Sequence, residues 1–277
     1  MTDHDLSELL SAYDVQLRRE PVVPSAGWRV ERLDDPAPLL RMTAPEGSAW
    51  GDGVVWTDLD EATADAAIAG TVAYFRGLGR SFEWKHHGYD RPADLPDRLR
   101  AAGLQPEPEE TVVAGRVDEV LEQLAGAPAP EGITLRHLRD DPDGRAADWA
   151  AIRALHERVW DEDASGLIRE VSAEHAADPA AMSVHLALAD DGTVACAAWT
   201  RFHAGTDFAS LWGGSTLPAY RRRGIYRALV ARRAGEAAER GFRYLQVDAS
   251  SESRPILERL GLHRLTSTTP FMWHPEP

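Results

Sequence analysis

Residues 218–229 carry the strongest chemical signal in the sequence, because three successive arginines, Arg221 to Arg223, directly precede Gly224. The surrounding apolar pattern predicts that a strand ends here and a long helix begins. Such a junction presents free backbone N–H groups and the positive end of a helix dipole. Arginine side chains add charge and paired hydrogen-bond donors. The segment therefore predicts a binding site for an anionic group.

Strands and helices alternate around this turn and must position it. Apolar residues at helical spacing predict that the long helix rests on a sheet. In the second half of the chain the predicted strands are 133–138, 184–189, 194–202, 207–216, 242–248, 262–267 and 270–274, and the predicted helices are 145–160, 165–177, 220–240 and 252–260.

The first half of the chain repeats this order of elements. Helix, strand, short helix, glycine and strand occur at 62–117 and again at 220–274. The matched order predicts a duplication, although shared α/β patterning by chance is an open alternative. We predict domains at 1–125 and 133–277, joined by a linker at 126–132 that is rich in Pro, Gly and Ala. The predicted strands of the first half are 28–33, 52–57, 82–86 and 111–117, and its predicted helices are 4–19, 62–78, 95–102 and 117–124.

Residues 130–277 resemble the GNAT superfamily of acyl-CoA-dependent N-acyltransferases. The resemblance centres on the family's Arg/Gln-x-x-Gly-x-Gly/Ala turn, which reads RRRGIY at 221–226. Tyr226 departs from the family's small last residue. The preceding strand with Pro218 and the Leu-Gly-Leu sequence at 260–262 stand in the family's places. The resemblance implies an α/β fold of the GNAT-like α+β type, with two mixed-sheet halves flanked by helices.

The resemblance also implies acetyl-CoA as the co-substrate. Backbone N–H groups of residues 222–227 would wrap its pyrophosphate, and Gly224 would let the backbone approach closely. The pantetheine arm would run along the strand edge near Gly213, where paired glycines predict a bulge; a kink without a ligand is the alternative. The predicted cofactor-binding residues are Gly214, Ser215, Thr216, Arg221, Arg222, Arg223, Gly224, Ile225, Tyr226 and Arg227.

The usual catalytic side chains of the family are missing. Acyl transfer needs a neutral amine, a stabilised oxyanion and a thiolate that can leave. Family members often place Glu on the strand before the turn and Tyr on the last short helix, where this sequence has Ser210 and Leu257. As substitutes we predict three catalytic residues: Ser253, Ser250 and Asp248. Helix capping by the serines and a turn role for the aspartate are the structural alternatives.

Composition narrows the possible partners. The net charge of -15 argues against nucleic acid and favours cationic ligands. Without a long apolar run, no membrane partner is expected, and the acidic N-terminus is unlike a signal peptide, so we expect a cytoplasmic protein, monomer or homodimer. The single cysteine, Cys196, is expected in a buried strand. We expect no metal, because His86-His87 and His156-Glu157 lack matching ligands.

The equivalent turn in the first half has the opposite charge. Residues 58–65 read DLDEATAD, and their four carboxylates would repel a pyrophosphate. One acetyl-CoA site is therefore expected. The expected function is an N-acetyltransferase that moves an acetyl group to a primary amine of a small molecule or peptide by direct attack in a ternary complex. The alternative is a catalytically inactive acyl-CoA-binding sensor or interaction module.

Overall fold

The computed structural model describes residues 2–21, 27–46, 48, 51–125 and 130–275. The chain forms two compact units that interleave along the sequence. The first comprises the residues up to Val112, Asp248–Arg254 and the chain from Arg264 on; the second comprises Val113–Val247 and Pro255–His263. Positions 126–129 of the predicted linker at 126–132 lie outside the described residues. The predicted domains 1–125 and 133–277 remain a proposal about the sequence repeat.

The first unit is built on a mixed sheet with the order β1-β2-β3-β4-β12, and β5 pairs with β12. Its core contains aromatic residues of α2, β4 and β12, including Phe75, Phe82 and Trp273. The elements are α1 (Asp3–Tyr13, continued by a π-helical turn at Asp14–Arg19), β1 (Arg29–Leu33), β2 (Leu39–Thr43), β3 (Asp52–Thr57), α2 (Ala64–Leu78), β4 (Phe82–His87), α3 (Leu95–Ala101), β5 (Gln105–Pro106) and β12 (His263–Trp273).

The second unit is built on a mixed sheet with the order β7-β8-β9-β10-β11. A 3-10 turn at Pro218–Tyr220 joins β10 to the following helix. The chain passes between the units four times: within β6, near the end of β11, after Arg254 and after His263. The elements are β6 (Glu110–Arg116), α4 (Val117–Leu124), β7 (Ile133–His137), α5 (Pro142–Trp160), α6 (Ser165–Ala177), β8 (Met182–Ala189), β9 (Val194–Phe202), β10 (Phe208–Thr216), α7 (Ile225–Glu239), β11 (Tyr244–Ala249) and α8 (Arg254–Glu258).

The two units share one pattern of strand pairing. Strands β1, β2, β3 and β4 are joined by two antiparallel pairings and then a parallel one. Strands β8, β9, β10 and β11 are joined in the same sequence. In each unit a helix, α2 or α7, connects the two parallel strands, as a parallel pair requires. The α/β fold with mixed sheets is confirmed, and the shared pattern supports the predicted duplication.

Three elements differ from the sequence prediction, and one of them is the two-residue strand β5, which was not predicted. The end of the chain forms one strand, β12, where we predicted two. Pro270 does not interrupt it, because its carbonyl accepts a hydrogen bond from the Glu107 amide at 2.8 Å, and this bond needs no proline N–H. Strand β2 has no counterpart in the prediction. It is buried along its whole length and therefore lacks the alternating pattern of a half-buried strand.

Helix α7 sits on the sheet as its apolar spacing predicts. Ile225, Leu229, Val230 and the alanines at 234 and 237 are buried. Ile225 and Leu229 pack against small residues of β8 and β9, including Cys196. That cysteine is buried as expected, and burial raises its pKa to about 11. Among the described residues, no helix combines the length and apolar character needed to cross a membrane.

Candidate functional site: the β10 bulge and the arginine turn

Strands β10 and β11 part in the middle of the second unit. Their parallel register joins Phe208–Ser210 to Tyr244–Gln246. Strand β10 then continues to Thr216 and β11 to Ala249. Ser210 therefore marks the point where the two strands separate. A gap between diverging parallel strands leaves backbone N–H and C=O groups of β10 facing a space that an extended ligand can occupy.

The predicted bulge lies just beyond this point. Trp212 pairs with Trp199 and Ser215 pairs with Ala197, so two residues of β10 oppose one of β9. Gly213 has φ +64°, and a Cβ there would lie 2.0 Å from the Trp199 ring. A Cβ on Gly214 would lie 2.7 Å from the Tyr226 ring. Both glycines are needed because aromatic rings occupy the positions of their missing side chains.

The arginine turn follows β10 directly. Arg222 and Gly224 both have left-handed backbones, with φ of +63° and +81°. Gly224 is the N-cap of α7, and without a side chain it supplies no capping oxygen. The amides of the first helical turn therefore depend on water or a ligand for hydrogen bonds. A Cβ on Gly224 would meet nothing within 4 Å, so the backbone conformation, and not space, requires glycine there.

The arginines around the turn are exposed, and three of them each donate one hydrogen bond to a backbone carbonyl. The Arg221 Nε donates to the Thr216 carbonyl at 3.2 Å, and the Arg223 Nη2 donates to the Glu131 carbonyl at 3.0 Å. Arg227 Nη2 donates to the Gln123 carbonyl at 3.0 Å. A guanidinium group has five N–H donors. One such bond apiece fixes each side chain and leaves further donors for an anion.

Tyr226, which replaces the family's small residue, packs inward. Its ring lies against Gly214, and its phenol hydrogen-bonds the guanidinium of Arg233. Burial raises the Tyr226 pKa, which Arg233 opposes. Arg233 is 1% exposed and donates to the carbonyls of Leu229 and Trp199 at 3.2 and 3.4 Å. The large ring is tolerated because Arg233, two turns along the same helix face, binds its hydroxyl.

Helix α5 is fixed to the sheet by one buried carboxylate. The Asp148 side chain is 2% exposed. It accepts hydrogen bonds from the Arg136 guanidinium at 2.7 and 2.8 Å and from the Arg139 backbone and side chain at 2.9 and 2.8 Å. Burial raises the Asp148 pKa, but these donors together lower it to about 2. The carboxylate thereby holds α5 at the end of β7.

Two residues of α5 contact the β10 bulge. The Trp160 Nε1 donates to the Ser215 Oγ at 2.9 Å. One turn earlier, the His156 ring hydrogen-bonds the Gly213 carbonyl and lies 5.6 Å from the Trp199 ring, centroid to centroid. Sequence reasoning considered His156 only as a metal ligand. The four-residue spacing of His156 and Trp160 places them on one helix face, which is the signal that connects them.

The predicted catalytic residues have other partners. Ser250 Oγ and Ser253 Oγ lie 3.2 Å apart, and the Ser250 carbonyl accepts the Arg254 amide at 2.9 Å where α8 begins. Asp248 forms an ion pair with Lys85 of β4. Burial lowers the Lys85 pKa, but Asp248 and Glu83 raise it to about 12. These contacts belong to the first compact unit and favour a structural role for all three residues, although Asp248 lies within β11 and not in a turn.

The family's two usual catalytic positions are closed off. Ser210 is 1% exposed, and its Oγ lies 2.7 Å from His203 Nε2 and 2.6 Å from Trp212 Nε1. Burial lowers the His203 pKa to about 4. Leu257 is fully buried. Both Ser210 and Leu257 therefore serve the interior of the fold.

In the first half, Asp60 stabilises the turn that precedes α2. Asp60 Oδ1 accepts from the Thr63 amide at 2.9 Å and the Thr63 hydroxyl at 2.7 Å, which lowers the Asp60 pKa. Asp65 pairs with Arg98 at 3.0 Å. A cavity of about 610 Å³ beside α2 is lined by Asp65, Asp94, Asp97 and Arg98 among others. These carboxylates give the site the wrong charge for a pyrophosphate.

A second polar cluster lies at the other edge of the sheet. Possible metal-ligand atoms of His137, His185 and Glu236 lie within 4.8 Å of one another. Glu236 is already bound by Arg240 Nη2 at 2.6 Å and lies 3.0 Å from His185 Nε2. Because the Arg240 charge beside this carboxylate repels cations, we propose no metal there.

Comparison with known proteins finds a family whose members resemble this part of the chain. Residues 149–262 match the model of the acetyltransferase (GNAT) family. This part of the chain is a GNAT acetyltransferase domain. The GNAT domain contains the turn, the bulge and α7, and the match extends to the Leu-Gly-Leu sequence at 260–262. Comparison with curated proteins gives no significant sequence match.

Solved structures show that the GNAT fold extends over the whole chain. A GCN5-related N-acetyltransferase from Kribbella flavida superposes with a TM-score of 0.65 at 18% identity, covering 98% of this chain and 96% of that one. A tandem GNAT protein from the clavulanic acid biosynthesis pathway gives 0.62 at 14% identity, covering 99% and 96%. A GCN5-related N-acetyltransferase from Sphaerobacter thermophilus gives 0.53 at 21% identity, covering 72% and 62%.

Proposed function

We propose that this protein is an N-acetyltransferase that uses acetyl-CoA to acetylate a primary amine of a small molecule or peptide. The observation that carries the proposal is the arginine turn at the uncapped start of α7, directly after the bulged strand β10, inside a GNAT domain. The negative net charge of the protein favours a cationic acceptor.

The turn and the strand edge suit the two parts of coenzyme A. The amides of residues 222–227 would bind the pyrophosphate, with the exposed guanidinium groups of Arg221, Arg223 and Arg227 around it. Open space beside Gly224 lets a phosphate approach the backbone. The pantetheine amides would pair with β10 near Gly214 and Thr216, where β11 has separated from it.

The reaction would proceed by direct attack with both substrates bound. The amine nitrogen attacks the thioester carbon, and charge develops on the carbonyl oxygen. Backbone N–H groups at a bulge are suited to stabilising such an oxyanion. The thiolate then leaves and gains a proton. The first half would hold no second acetyl-CoA, because Asp60 and Asp65 occupy its equivalent helix start.

Arg223→Glu is expected to weaken acetyl-CoA binding at least tenfold, about 1.4 kcal/mol, because a carboxylate replaces a guanidinium beside the pyrophosphate. Calorimetric titration with acetyl-CoA measures the change. Arg243→Glu is the matched control: it makes the same charge change at an exposed arginine of the same unit, paired at 3.8 Å with Asp207. Equal affinities for Arg223→Glu and the wild type would reject the assigned turn.

An acyl-CoA-binding sensor is the second candidate, and the burial of Ser210 and Leu257 favours it. Thiol release from acetyl-CoA separates the two. Release stimulated by at least one amine from a panel of polyamines, arylalkylamines, amino sugars and lysine peptides supports the transferase. Tight acetyl-CoA binding without release favours the sensor.

A further inference from the structure

His156 is a buried histidine, and one of its ring nitrogens has no hydrogen-bond partner among the described residues. The residue is 4% exposed. Its Nε2 is buried and has no hydrogen-bond partner among the described residues. The bond to the Gly213 carbonyl must therefore come from Nδ1. An unpartnered buried polar atom is destabilising and is uncommon in native proteins.

The bond to Gly213 decides the state of the ring. With Nδ1 carrying the hydrogen, Nε2 presents a lone pair and acts as an acceptor. Burial lowers the His156 pKa to about 4, although the Gly213 carbonyl raises it, so the ring is neutral near pH 7. The charged neighbours on α5, Arg153 and Glu157, pair with each other at 3.6 Å. The facing residues on β9 and β10, Trp199 and Gly213, carry no charge.

The two serine hydroxyls near the strand separation are already satisfied, and the buried Nε1 of Trp199, which has no partner among the described residues, is a donor that cannot take up a proton. Ser210 is hydrogen-bonded to His203 and Trp212, and the Ser215 hydroxyl accepts from Trp160. His156 Nε2 differs from them, because it is a fixed acceptor without a donor among the described residues. Its ring is anchored at Gly213, beside the residues proposed to line the acetyl-pantetheine.

We infer that His156 Nε2 accepts the proton of the attacking amine during acetyl transfer, the role that Ser210 leaves open. This inference rests on the proposed function. It makes His156 the catalytic base, with the Gly213 carbonyl as the group that orients its ring. Trp160, bonded to Ser215, holds the same helix face against the bulge.

The proton transfer balances without a further reactant. The amine nitrogen forms a bond to the thioester carbon, and the carbonyl electron pair moves to oxygen. His156 Nε2 takes one N–H proton with its lone pair. The oxygen electrons then return, the C–S bond breaks and its electrons leave with sulfur. The proton passes from His156 to the thiolate, which yields the amide and the free thiol. A low basicity favours this release.

The test uses His156→Asn in the full chain. Asparagine keeps an N–H donor near the Nδ1 position, for Gly213, and removes the Nε2 acceptor. We expect the kcat of thiol release from acetyl-CoA to fall at least about 100-fold with hydroxylamine, spermidine or tryptamine as acceptor. The Kd of acetyl-CoA should stay unchanged, and because the smaller side chain loses packing against Trp199, kcat is measured at a temperature at which circular dichroism shows the variant folded. His156→Gln is the second variant, should asparagine impair folding, and the same fall is expected.

His175→Asn is the matched control. His175 lies on α6 of the same unit, burial lowers its pKa, and its Nδ1 is also buried without a partner. This variant should keep wild-type kcat. Wild-type kcat in both folded His156 variants would overturn this inference and leave the proposed function standing. A fall in kcat matched by an equal fall in acetyl-CoA affinity would overturn it as well. A wild type that binds acetyl-CoA and releases no thiol with any amine would overturn the proposed function and this inference with it.

Discussion

Gly213→Ala is expected to destabilise the protein by about 3 kcal/mol and to abolish acetyl-CoA binding. The added Cβ would lie 2.0 Å from the Trp199 ring, and φ of +64° adds left-handed strain. Overpacking a core costs about 1–3 kcal/mol, and a non-glycine residue in the left-handed region costs about 1–2 kcal/mol more. Trp199 cannot move away freely, because the His156 ring packs against it. Urea unfolding and calorimetry with acetyl-CoA measure the two effects.

Gly224→Ala is the matched control for this substitution. Its φ is similar, at +81°, but a Cβ there would meet nothing within 4 Å. Only the backbone strain of about 1–2 kcal/mol is therefore expected. If the two alanine variants were equally stable, the contact between Trp199 and the bulge would not be what requires glycine at 213.

Asp148→Ala should cost about 2 kcal/mol, since it removes the charge-assisted hydrogen bonds of a buried carboxylate whose partners Arg136 and Arg139 are partly exposed. Arg136 and Arg139 both depend on this carboxylate. The variant should also lose kcat, because α5 carries His156 and Trp160. Asp118→Ala is the control: its side chain is 61% exposed and pairs with Arg116, so a change below about 1 kcal/mol is expected.

Protonation of Asp148 at low pH should cause part of the stability loss that the Asp148→Ala substitution causes. The folded pKa is lowered to about 2 from the ordinary 3.8. A depressed carboxyl pKa gives stability that is complete above the unfolded pKa and is lost as pH falls through the folded one. The stability difference between wild type and Asp148→Ala should therefore shrink between about pH 4 and pH 2. A constant difference across this range would show that the Asp148 charge does not stabilise the fold.

Local features of this protein were predictable from its sequence. The run from Arg221 to Gly224 marks the start of α7, because charge, glycine and apolar spacing are all read within one helical turn. The paired glycines at 213 and 214 predict the bulge for the same reason, since glycine identity reports backbone conformation directly. The carboxylates at 58–65 predict a first half without an anion turn, and Asp60 binds the Thr63 amide in the turn that precedes α2.

Contacts between distant residues were decided by the tertiary structure. Asp248 pairs with Lys85 across 163 residues of sequence, and this partner removes the freedom that the proposed catalytic role requires. His156 reaches Gly213, and Trp160 reaches Ser215 across 55 residues. No local pattern encodes such pairs, because they depend on how α5 is fixed to the sheet by Asp148.

The arginine turn and the β10 bulge could thus be predicted from the sequence. The residues that surround the bulge were determined only by the tertiary structure. A turn is specified by backbone preferences of adjacent residues, so three arginines and a glycine suffice to predict an anion site. A catalytic base is specified by burial, orientation and a partner for its second nitrogen. These properties of His156 arise only when α5, β9 and β10 pack together.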